Sequence, residues 1–219
     1  MRWRLRRAGL DDAAALGRVN VLAWQRVYRG LMPAALLDGL SRVDQTPNWR
    51  ETLGWPEPHA DFLAVLPGDE PGAAGGPGVS DRAGAITDSD PDGWIGAYAT
   101  VGPVREADDA HPTRRTGELM SLYAAPRWLR TGAGRLTHDA GLTHLTEAGF
   151  EHVVVWVMAD NAEGRAFYEA VGWSCDEVVR PLELPGFSLP EIRYSRPLPV
   201  DPETGSTPAT TAAATVEAG

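Results

Sequence analysis

The sequence contains no lysine, and all twenty of its basic residues are arginine. This absence removes the amine that a Schiff-base enzyme or a lysine general base would need. Cysteine is almost absent too, because Cys175 is the only one, which excludes an intramolecular disulfide and a zinc site built from several cysteines. His138 and His144 are six residues apart, whereas a helical metal pair requires four. We therefore expect no metal.

Long apolar runs are also missing, since none approaches the roughly twenty residues needed to span a bilayer. The basic start at residues 2–7 is followed by Asp11 and Asp12, not by the apolar core of a secretion signal. These two observations predict a cytoplasmic protein without a membrane partner. With 219 residues, 43% of them hydrophobic, and eight tryptophans, the chain can bury one good core.

The net charge of −10 is concentrated in two segments. Residues 67–92 hold six acids and one arginine, and residues 199–219 hold three acids and no base, so removing −5 and −3 leaves −2. The rest of the chain therefore has nearly equal numbers of positive and negative charges, which argues against nucleic acid as a partner. Both segments lack the large apolar residues that repay the entropy of ordering. We predict one domain over residues 1–198, a flexible Gly/Pro/acidic insert at 67–92 and a disordered tail at 199–219.

Apolar periodicity predicts a mixed α/β fold, with a central mixed twisted sheet and helices on both faces. In chain order, we predict a strand at 3–7, a helix after Asp12 that ends near Tyr28, helices at about 34–40 and 49–53, strands at 62–66, 94–101 and 118–123, a helix at 132–148, a strand at 153–158, a short helix beginning at Asp160 or Asn161, and strands at 173–176 and 192–196.

The stretch from Glu118 to Trp173 is the most informative part of the chain. An apolar strand leads through Pro126 to the glycine pair of Gly132 and Gly134, which precedes a helix. Glycines at such a turn let backbone N–H groups approach a ligand, and the positive end of the helix dipole favours an anion. The layout predicts a phosphorylated cofactor, although a glycine pair before a helix also occurs as a purely structural turn.

This stretch resembles the GNAT superfamily, the GCN5-related N-acetyltransferases. The matching motifs, in order, are Leu122-Tyr123-Ala124-Ala125-Pro126, Gly132-Ala133-Gly134, Asn161-Ala162, Ala166-Phe167-Tyr168 and Gly172-Trp173. The resemblance implies a GNAT-type acyl-CoA N-acyltransferase fold, acetyl-CoA as the acyl donor, and transfer of an acetyl group to a primary amine by direct attack. It also implies that the chain can form a homodimer, as members of the family often do.

The resemblance implies that a set of residues in this chain binds the cofactor. They are Leu122, Tyr123, Ala124, Leu129, Arg130, Thr131, Gly132, Ala133, Gly134, Arg135, Asn161 and Phe167. Leu129 stands where the family usually has Gln or Arg, but backbone N–H groups make most phosphate contacts in such a loop, and Arg130 or Arg135 can add charge-assisted contacts. The backbone of residues 122 and 124 would pair with the pantetheine arm, and Asn161 would either hold the same arm or cap its helix.

Acyl transfer needs a neutral amine, a polarised carbonyl and a protonated leaving thiolate. By resemblance, Tyr168 donates the proton to the thiolate; the alternative is a core aromatic on an amphipathic helix beside Phe167. Glu118 begins the strand that would line the acyl group, where many GNAT members place the carboxylate that deprotonates the amine directly or through water. The alternative for Glu118 is a solvated charge at a strand end.

Two other functions compete with an acetyltransferase. A catalytically inactive GNAT-like module that binds coenzyme A is compatible with Leu129, whereas a dinucleotide-binding oxidoreductase is disfavoured because the full G-x-G-x-x-G pattern is missing. The acceptor is a small molecule or a peptide. Trp24, Tyr28 and the segment near Met32 should border it, and nearby acids such as Glu191 would suit a cationic amine, although the same aromatics also fit a plain core.

Overall fold

The computed structural model describes residues 2–40, 42–66, 95–184 and 186–199, with the backbone alone at 42–44. The strands are β1 (Arg4–Arg7), β2 (Ala60–Val65), β3 (Ile95–Pro103), β4 (Thr116–Ala124), β5 (His152–Met158), β6 (Ser174–Leu184) and β7 (Phe187–Pro197). The helices are α1 (Ala13–Val27), α2 (Ala34–Asp38), α3 (Arg42–Leu53), α4 (Ala133–Glu147) and α5 (Ala162–Ala170). The predicted insert at 67–92 lies outside the described residues, as does the predicted tail except Pro199. Over the described ranges, no helix is both long and apolar enough to cross a membrane.

All seven strands form one sheet in the order β1-β2-β3-β4-β5-β7-β6. Every neighbouring pair is antiparallel except β4 and β5, which are parallel. The connection between those two parallel strands is α4, as a crossover between parallel strands requires. The predicted mixed α/β fold is confirmed.

Helices cover both faces of the sheet, which is why β3 is buried along almost its whole length. On one face, Tyr98 packs edge-on against Trp49 of α3, with ring centroids 4.9 Å apart. On the other face, α4 lies so close to β3 that a Cβ at Gly141 would be 2.8 Å from a methyl carbon of Val101. Glycine at position 141 therefore fixes how near α4 sits to the strands that form the cleft described below.

The parallel pairing between β4 and β5 is short. It runs only through Thr116 with His152, Gly117 with Val153, and Glu118 with Val154.

Beyond Glu118 the two strands keep only their outer partners. Strand β4 remains paired with β3 as far as Ala124, and β5 remains paired with β7 as far as Met158. The register between β3 and β4 shifts between Leu119 and Ser121, so Met120 is an extra residue in β4, a β-bulge that bends the strand where it leaves β5. The sheet is consequently split at its centre.

The hairpin of β6 and β7 is much longer than the predicted strands at 173–176 and 192–196. Its outer part was missed because prolines interrupt the apolar pattern, yet Pro181 and Pro190 lie opposite each other within the pairing. The outer segment packs its apolar side chains against α2 and the end of α1. This cluster includes Tyr28, Met32, Leu37, Leu182, Leu184, Phe187 and Leu189.

Candidate active site

A cleft of about 1130 Å³ occupies the split between β4 and β5. The side chains that line it come from the diverging strands, the end of α1, the loop before α4, the start of α5 and the outer part of β6 and β7. The lining residues include 23, 24, 26–28, 120–124, 128–130, 155–158, 161–164, 166–168, 182 and 184. The divergence of β4 and β5 thus brings motifs that are separate in the sequence to one site. No local sequence pattern predicts this divergence.

Along one wall of the cleft, β4 presents an open backbone edge. Residues 120–124 line the cleft and pair with β3 on their other side (Met120 excepted), while their edge toward β5 has no strand partner among the described residues. Such an edge can hydrogen-bond to an extended ligand as if to an added strand. Leu122, Tyr123 and Ala124, all predicted to bind the cofactor, lie on this wall.

The loop before α4 supplies unpaired backbone donors. Leu136 is the first residue of the helix whose N–H finds a carbonyl, that of Gly132 at 3.0 Å. The N–H groups of Gly132, Ala133, Gly134 and Arg135 have no acceptor within the described residues, as expected at a helix N-terminus. Four free donors and the positive end of a 15-residue helix therefore meet at one end of the cleft.

Both glycines of this loop leave room for a ligand. Gly132 has a φ of +90°, a left-handed conformation that a β-branched side chain resists, so its identity has a backbone reason. Gly134 is helical, and a Cβ added there would have no heavy atom within 4 Å. Since the protein's own packing does not require glycine at position 134, the missing side chain fits a group that approaches the helix from the cleft.

The side chains of the loop play different parts. Thr131 is tied into the fold, because its hydroxyl donates to the Trp128 carbonyl at 2.6 Å and its own carbonyl accepts from Trp3. Arg135 lines the cleft and pairs with Asp139 at 2.8 Å. Arg130 also lines it, is exposed, adopts a φ of 60°, and has no ion-pair partner in the described part of the chain. Leu129 lies on the cleft wall and adds no donor from its side chain.

Asn161 caps α5, the second of the alternatives that the sequence left open. Its Oδ1 accepts the N–H of Gly164 at 2.9 Å. A Cβ at Gly164 would lie 2.6 Å from Asn161 Nδ2, so the glycine makes the cap possible. The amide nitrogen remains as a donor on a residue that lines the cleft, and capping therefore does not prevent Asn161 from contacting a ligand.

Tyr168 is held in an aromatic cluster on α5. Its ring packs edge-on against Phe167 and Trp173, with centroids 5.5 and 5.6 Å away. The side chain lines the cleft, and its hydroxyl has no hydrogen-bond partner among the residues that the structure describes. Burial raises the pKa of Tyr168 above its ordinary value of 10, and the nearby Tyr28 adds to this shift, so the phenol stays protonated at neutral pH.

Glu118 lies at the point where β4 leaves β5, and it is buried and ion-paired. Its Oε2 accepts the backbone N–H and the Nε–H of Arg105, at 3.1 and 3.0 Å, and its Oε1 accepts Nη2 of the same arginine. A carboxylate has about four acceptor positions, so one position on Oε1 remains. Glu118 is therefore not the solvated strand-end charge that was its alternative, since the side chain is only 3% exposed.

Arginines and acids also surround the far end of the cleft, and sequence reasoning missed most of them. The Nε of Arg180 donates to Glu191 at 3.1 Å, and its guanidinium carbon lies 4.0 Å from the centre of the Trp156 ring. Asp109 is buried and accepts from Trp156 at 2.8 Å. Glu191, expected to attract a cationic amine, thus already has a cationic partner. No local pattern marks Arg105 or Arg180, because their partners come from other elements of the fold.

The aromatic residues predicted to border the acceptor are partly on the cleft. Trp24 and Tyr28 line it, and their rings pack edge-on with centroids 5.0 Å apart. The hydroxyls of Tyr28 and Tyr123 share a hydrogen bond of 2.9 Å, which joins the end of α1 to β4. Met32 instead packs in the buried cluster behind this wall. Nowhere in the described ranges do three or more His, Cys, Asp or Glu residues gather to hold a metal, and the absence of a metal remains a prediction.

Comparisons with known proteins agree with this geometry. Residues 78–173 match the acetyltransferase (GNAT) family. The uncharacterised N-acetyltransferase YuaI of Bacillus subtilis is 24% identical over 194 residues, which cover 88% of this chain and 92% of that protein. Mycothiol acetyltransferase of Kocuria rhizophila is 31% identical over 99 residues, 44% of this chain and 31% of that enzyme. The chain thus spans about a third of the mycothiol acetyltransferase.

Solved structures show the same fold at low identity. The PaiA N-acetyltransferase of Thermoplasma acidophilum, determined with coenzyme A, has a TM-score of 0.59 at 13% identity and covers 90% of this chain and 99% of its own. The YncA acetyltransferase of Salmonella typhimurium, determined with acetyl-CoA, has a TM-score of 0.57 at 16% identity and covers 96% and 99%. The family match and the curated relatives support an acyltransferase. In sequence over residues 78–173, and in fold over 90% of the chain against the PaiA enzyme, this protein is similar to GNAT acetyltransferases.

Proposed function

We propose that the protein transfers an acetyl group from acetyl-CoA to a primary amine by direct attack of the amine on the thioester. The observation that carries the proposal is the open edge of β4. It leads from the free N–H groups at the start of α4 to a cleft that also contains Tyr168 and Glu118. The acceptor is a small molecule or a peptide, and we place the whole activity in one domain over residues 1–198.

The chain's own groups fit the parts of the donor. The N–H groups of residues 132–135 suit its phosphates, and Arg130 can add a charge-assisted contact. Backbone groups of Leu122 and Ala124 suit the amides of the pantetheine arm, with Tyr123, Asn161 and Phe167 beside it on the cleft walls. Acetyl-CoA supplies the thioester that the reaction consumes.

Two side chains would move protons. Glu118 would take the proton that the amine loses when its nitrogen bonds to the carbonyl carbon, directly at the remaining position on Oε1 or through a water. Tyr168 would give its phenolic proton to the sulfur as the carbon–sulfur bond breaks. The raised pKa keeps that proton on Tyr168 until the thiolate forms. Arg105 would hold Glu118 in place through the bidentate pair.

The test of cofactor binding substitutes Gly134 by valine and uses Gly9→Val as the matched control. Both positions offer open space for a side chain and have negative φ, but only Gly134 lines the cleft. Acetyl-CoA at about a hundred times its Kd should stabilise the wild type and Gly9→Val by roughly 2.7 kcal/mol in a thermal-shift titration. Gly134→Val should fold normally and lose this stabilisation because its side chain fills the space for the phosphates.

Thiol release in the presence of amines then tests turnover. Binding of acetyl-CoA together with amine-dependent thiol release supports the transferase. Binding without release for a broad panel of amines would instead favour an inactive coenzyme A-binding module. An unchanged thermal shift in Gly134→Val would show that the loop does not hold the donor.

A further inference from the structure

The charged groups of the cleft follow a simple rule. The described residues that line it include three carboxylates, and each is paired with an arginine that also lines it. Glu118 pairs with Arg105, Glu163 with Arg26 at 2.8 Å, and Glu191 with Arg180 at 3.1 Å. A second positive charge on an acceptor would therefore enter a cleft whose described carboxylates are already neutralised.

The arginines, in contrast, retain unused donors. A guanidinium has five N–H groups. Arg180 uses Nε for Glu191 and one Nη1 hydrogen for Asp109 at 3.4 Å, so the Nη2 group is left. Arg105 uses its Nε and Nη2 for Glu118, which leaves Nη1. The Arg105 side chain is 50% exposed and that of Arg180 is 30% exposed, so the spare donors are accessible.

Arg180 is also held rigidly, which favours recognition over a chance surface charge. Its guanidinium lies over Trp156 at 4.0 Å, and the indole of Trp156 donates to Asp109 at 2.8 Å. Asp109 is further fixed by Arg193 at 3.0 Å. A planar guanidinium that is pre-oriented in this way matches the geometry of a carboxylate and loses little entropy on binding it.

We propose that the acceptor is a primary amine that carries its own carboxylate, such as an amino acid, and that Arg180, assisted by Arg105, binds that carboxylate. This inference rests on the proposed acetyl transfer, and it reverses the expectation of a cationic acceptor. An anionic acceptor finds free donors, whereas a diamine meets two guanidinium groups and, among the described lining residues, only carboxylates that already have an arginine partner. The discrimination thus has both an attractive and a repulsive part.

The test compares L-leucine, L-leucinamide and 1,5-diaminopentane as acceptors at saturating acetyl-CoA. The amide retains the α-amine and removes the carboxylate, and the diamine adds a second positive charge. The measured quantity is the ratio of kcat/KM between acceptors in each variant relative to the wild type, because this ratio cancels the different basicities of the amines.

Three variants separate recognition from structure. In Arg180→Gln the leucine-to-leucinamide ratio should fall at least tenfold, and diaminopentane should gain relative to leucine because Glu191 is then unpaired. In Glu191→Gln the preference for leucine should persist or rise, since Arg180 gains a donor. In the variant that carries both substitutions, the preference for leucine over leucinamide and the gain of diaminopentane over leucine should both disappear. A purely structural Arg180 would lower all three acceptors equally and leave the ratios unchanged.

Other outcomes would contradict either this inference alone or the proposed function as well. If the wild type acetylates the diamine or the amide better than leucine, or if Arg180→Gln slows all acceptors by one factor, this inference is wrong while the proposed acetyl transfer stands. If the wild type binds acetyl-CoA and acetylates none of the three acceptors or any other amine, the proposed function fails, and the inference fails with it.

Discussion

At the scale of single residues, two tyrosines in one aromatic cluster differ in what their hydroxyl groups do. The Tyr194 hydroxyl accepts from Arg165 at 3.1 Å and donates to Glu169 at 2.8 Å. The Tyr168 hydroxyl has no such partner in the described part of the chain and belongs to a side chain on the cleft wall. A hydroxyl that does not hold the fold together is available for chemistry.

Tyr168→Phe should therefore lower kcat substantially, because the thiolate loses its proton donor. The affinity for coenzyme A should remain within a few-fold, and the free energy of unfolding should hardly change, since no hydrogen bond to the described residues is lost. Steady-state thiol release, a coenzyme A titration and urea unfolding measure the three quantities. An unchanged kcat would remove Tyr168 as the acid.

Tyr194→Phe is the matched control, because it removes the same atom from the same cluster. Its two lost hydrogen bonds should cost about 1–3 kcal/mol of unfolding free energy. Its kcat should stay near that of the wild type, as the residue does not line the cleft. The two substitutions should thus show opposite patterns.

What the sequence reveals about individual residues depends on how local their partners are. Asn161 and its cap partner Gly164 are three residues apart, so the sequence suggested capping. Arg180 and Asp109 are 71 residues apart and meet only because the sheet brings β6 beside the loop before β4. The charge pairs of the acceptor end could not be predicted for that reason.

At the scale of secondary-structure elements, α4 is joined to the segment between α5 and β6 by a buried histidine. His138 is 1% exposed; its Nε2 accepts the indole N–H of Trp173 at 2.9 Å, and its Nδ1 lies 2.7 Å from Asp139. This pattern requires a neutral ring with the proton on Nδ1. Trp173 in turn packs against Tyr168, so the histidine helps to position the proposed acid.

This histidine predicts a pH dependence of stability. Burial lowers the pKa of His138 from 6.5, although Asp139 opposes the shift. As the pH falls through 6.5 the unfolded chain takes up a proton that the folded protein does not, so stability is lost toward the lowered pKa. We expect the unfolding free energy to fall between pH 7.5 and pH 5.5. The fall should be on the order of 1 kcal/mol for each pH unit by which folding lowers the pKa of His138.

His138→Gln should flatten this dependence, which urea unfolding at several pH values would measure. Burial also lowers the pKa of His152, so His152→Gln should remove a separate part of the slope, and the two substitutions together should flatten it further than either alone. A slope that His138→Gln leaves unchanged would contradict the assignment to His138.

Elements were easiest to predict where the apolar pattern was uninterrupted. The run from Val153 to Met158 predicted β5, and Leu136, Ala140 and Leu145 follow the helical spacing of α4. Strands β6 and β7 were predicted too short because proline normally ends a strand, whereas here Pro181 and Pro190 face each other in the part of the hairpin beyond β5.

At the scale of the whole molecule, the predicted domain end can be tested by truncation. Leu198 is buried, and its N–H donates to the carbonyl of Glu151 at 2.9 Å. A chain that ends at Pro199 should retain the melting temperature and the thiol-release rate of the full chain. A chain that ends at Pro197 should lose about 2 kcal/mol, because it forfeits the burial of Leu198. A large loss of stability in the chain that ends at Pro199 would show that residues 200–219 contribute to the folded domain.

The split between β4 and β5 has a further consequence for the sheet as a whole. Unpaired backbone groups along a strand normally invite other chains to add strands, which is why exposed sheet edges are aggregation hazards. Here the unpaired row lies in the interior of the sheet, with β5 on the opposite wall and helices above and below. A slender ligand can reach it, but a second sheet cannot. The backbone groups of β4 can therefore hydrogen-bond to a ligand, while their position inside the sheet protects the protein from self-association through this strand edge.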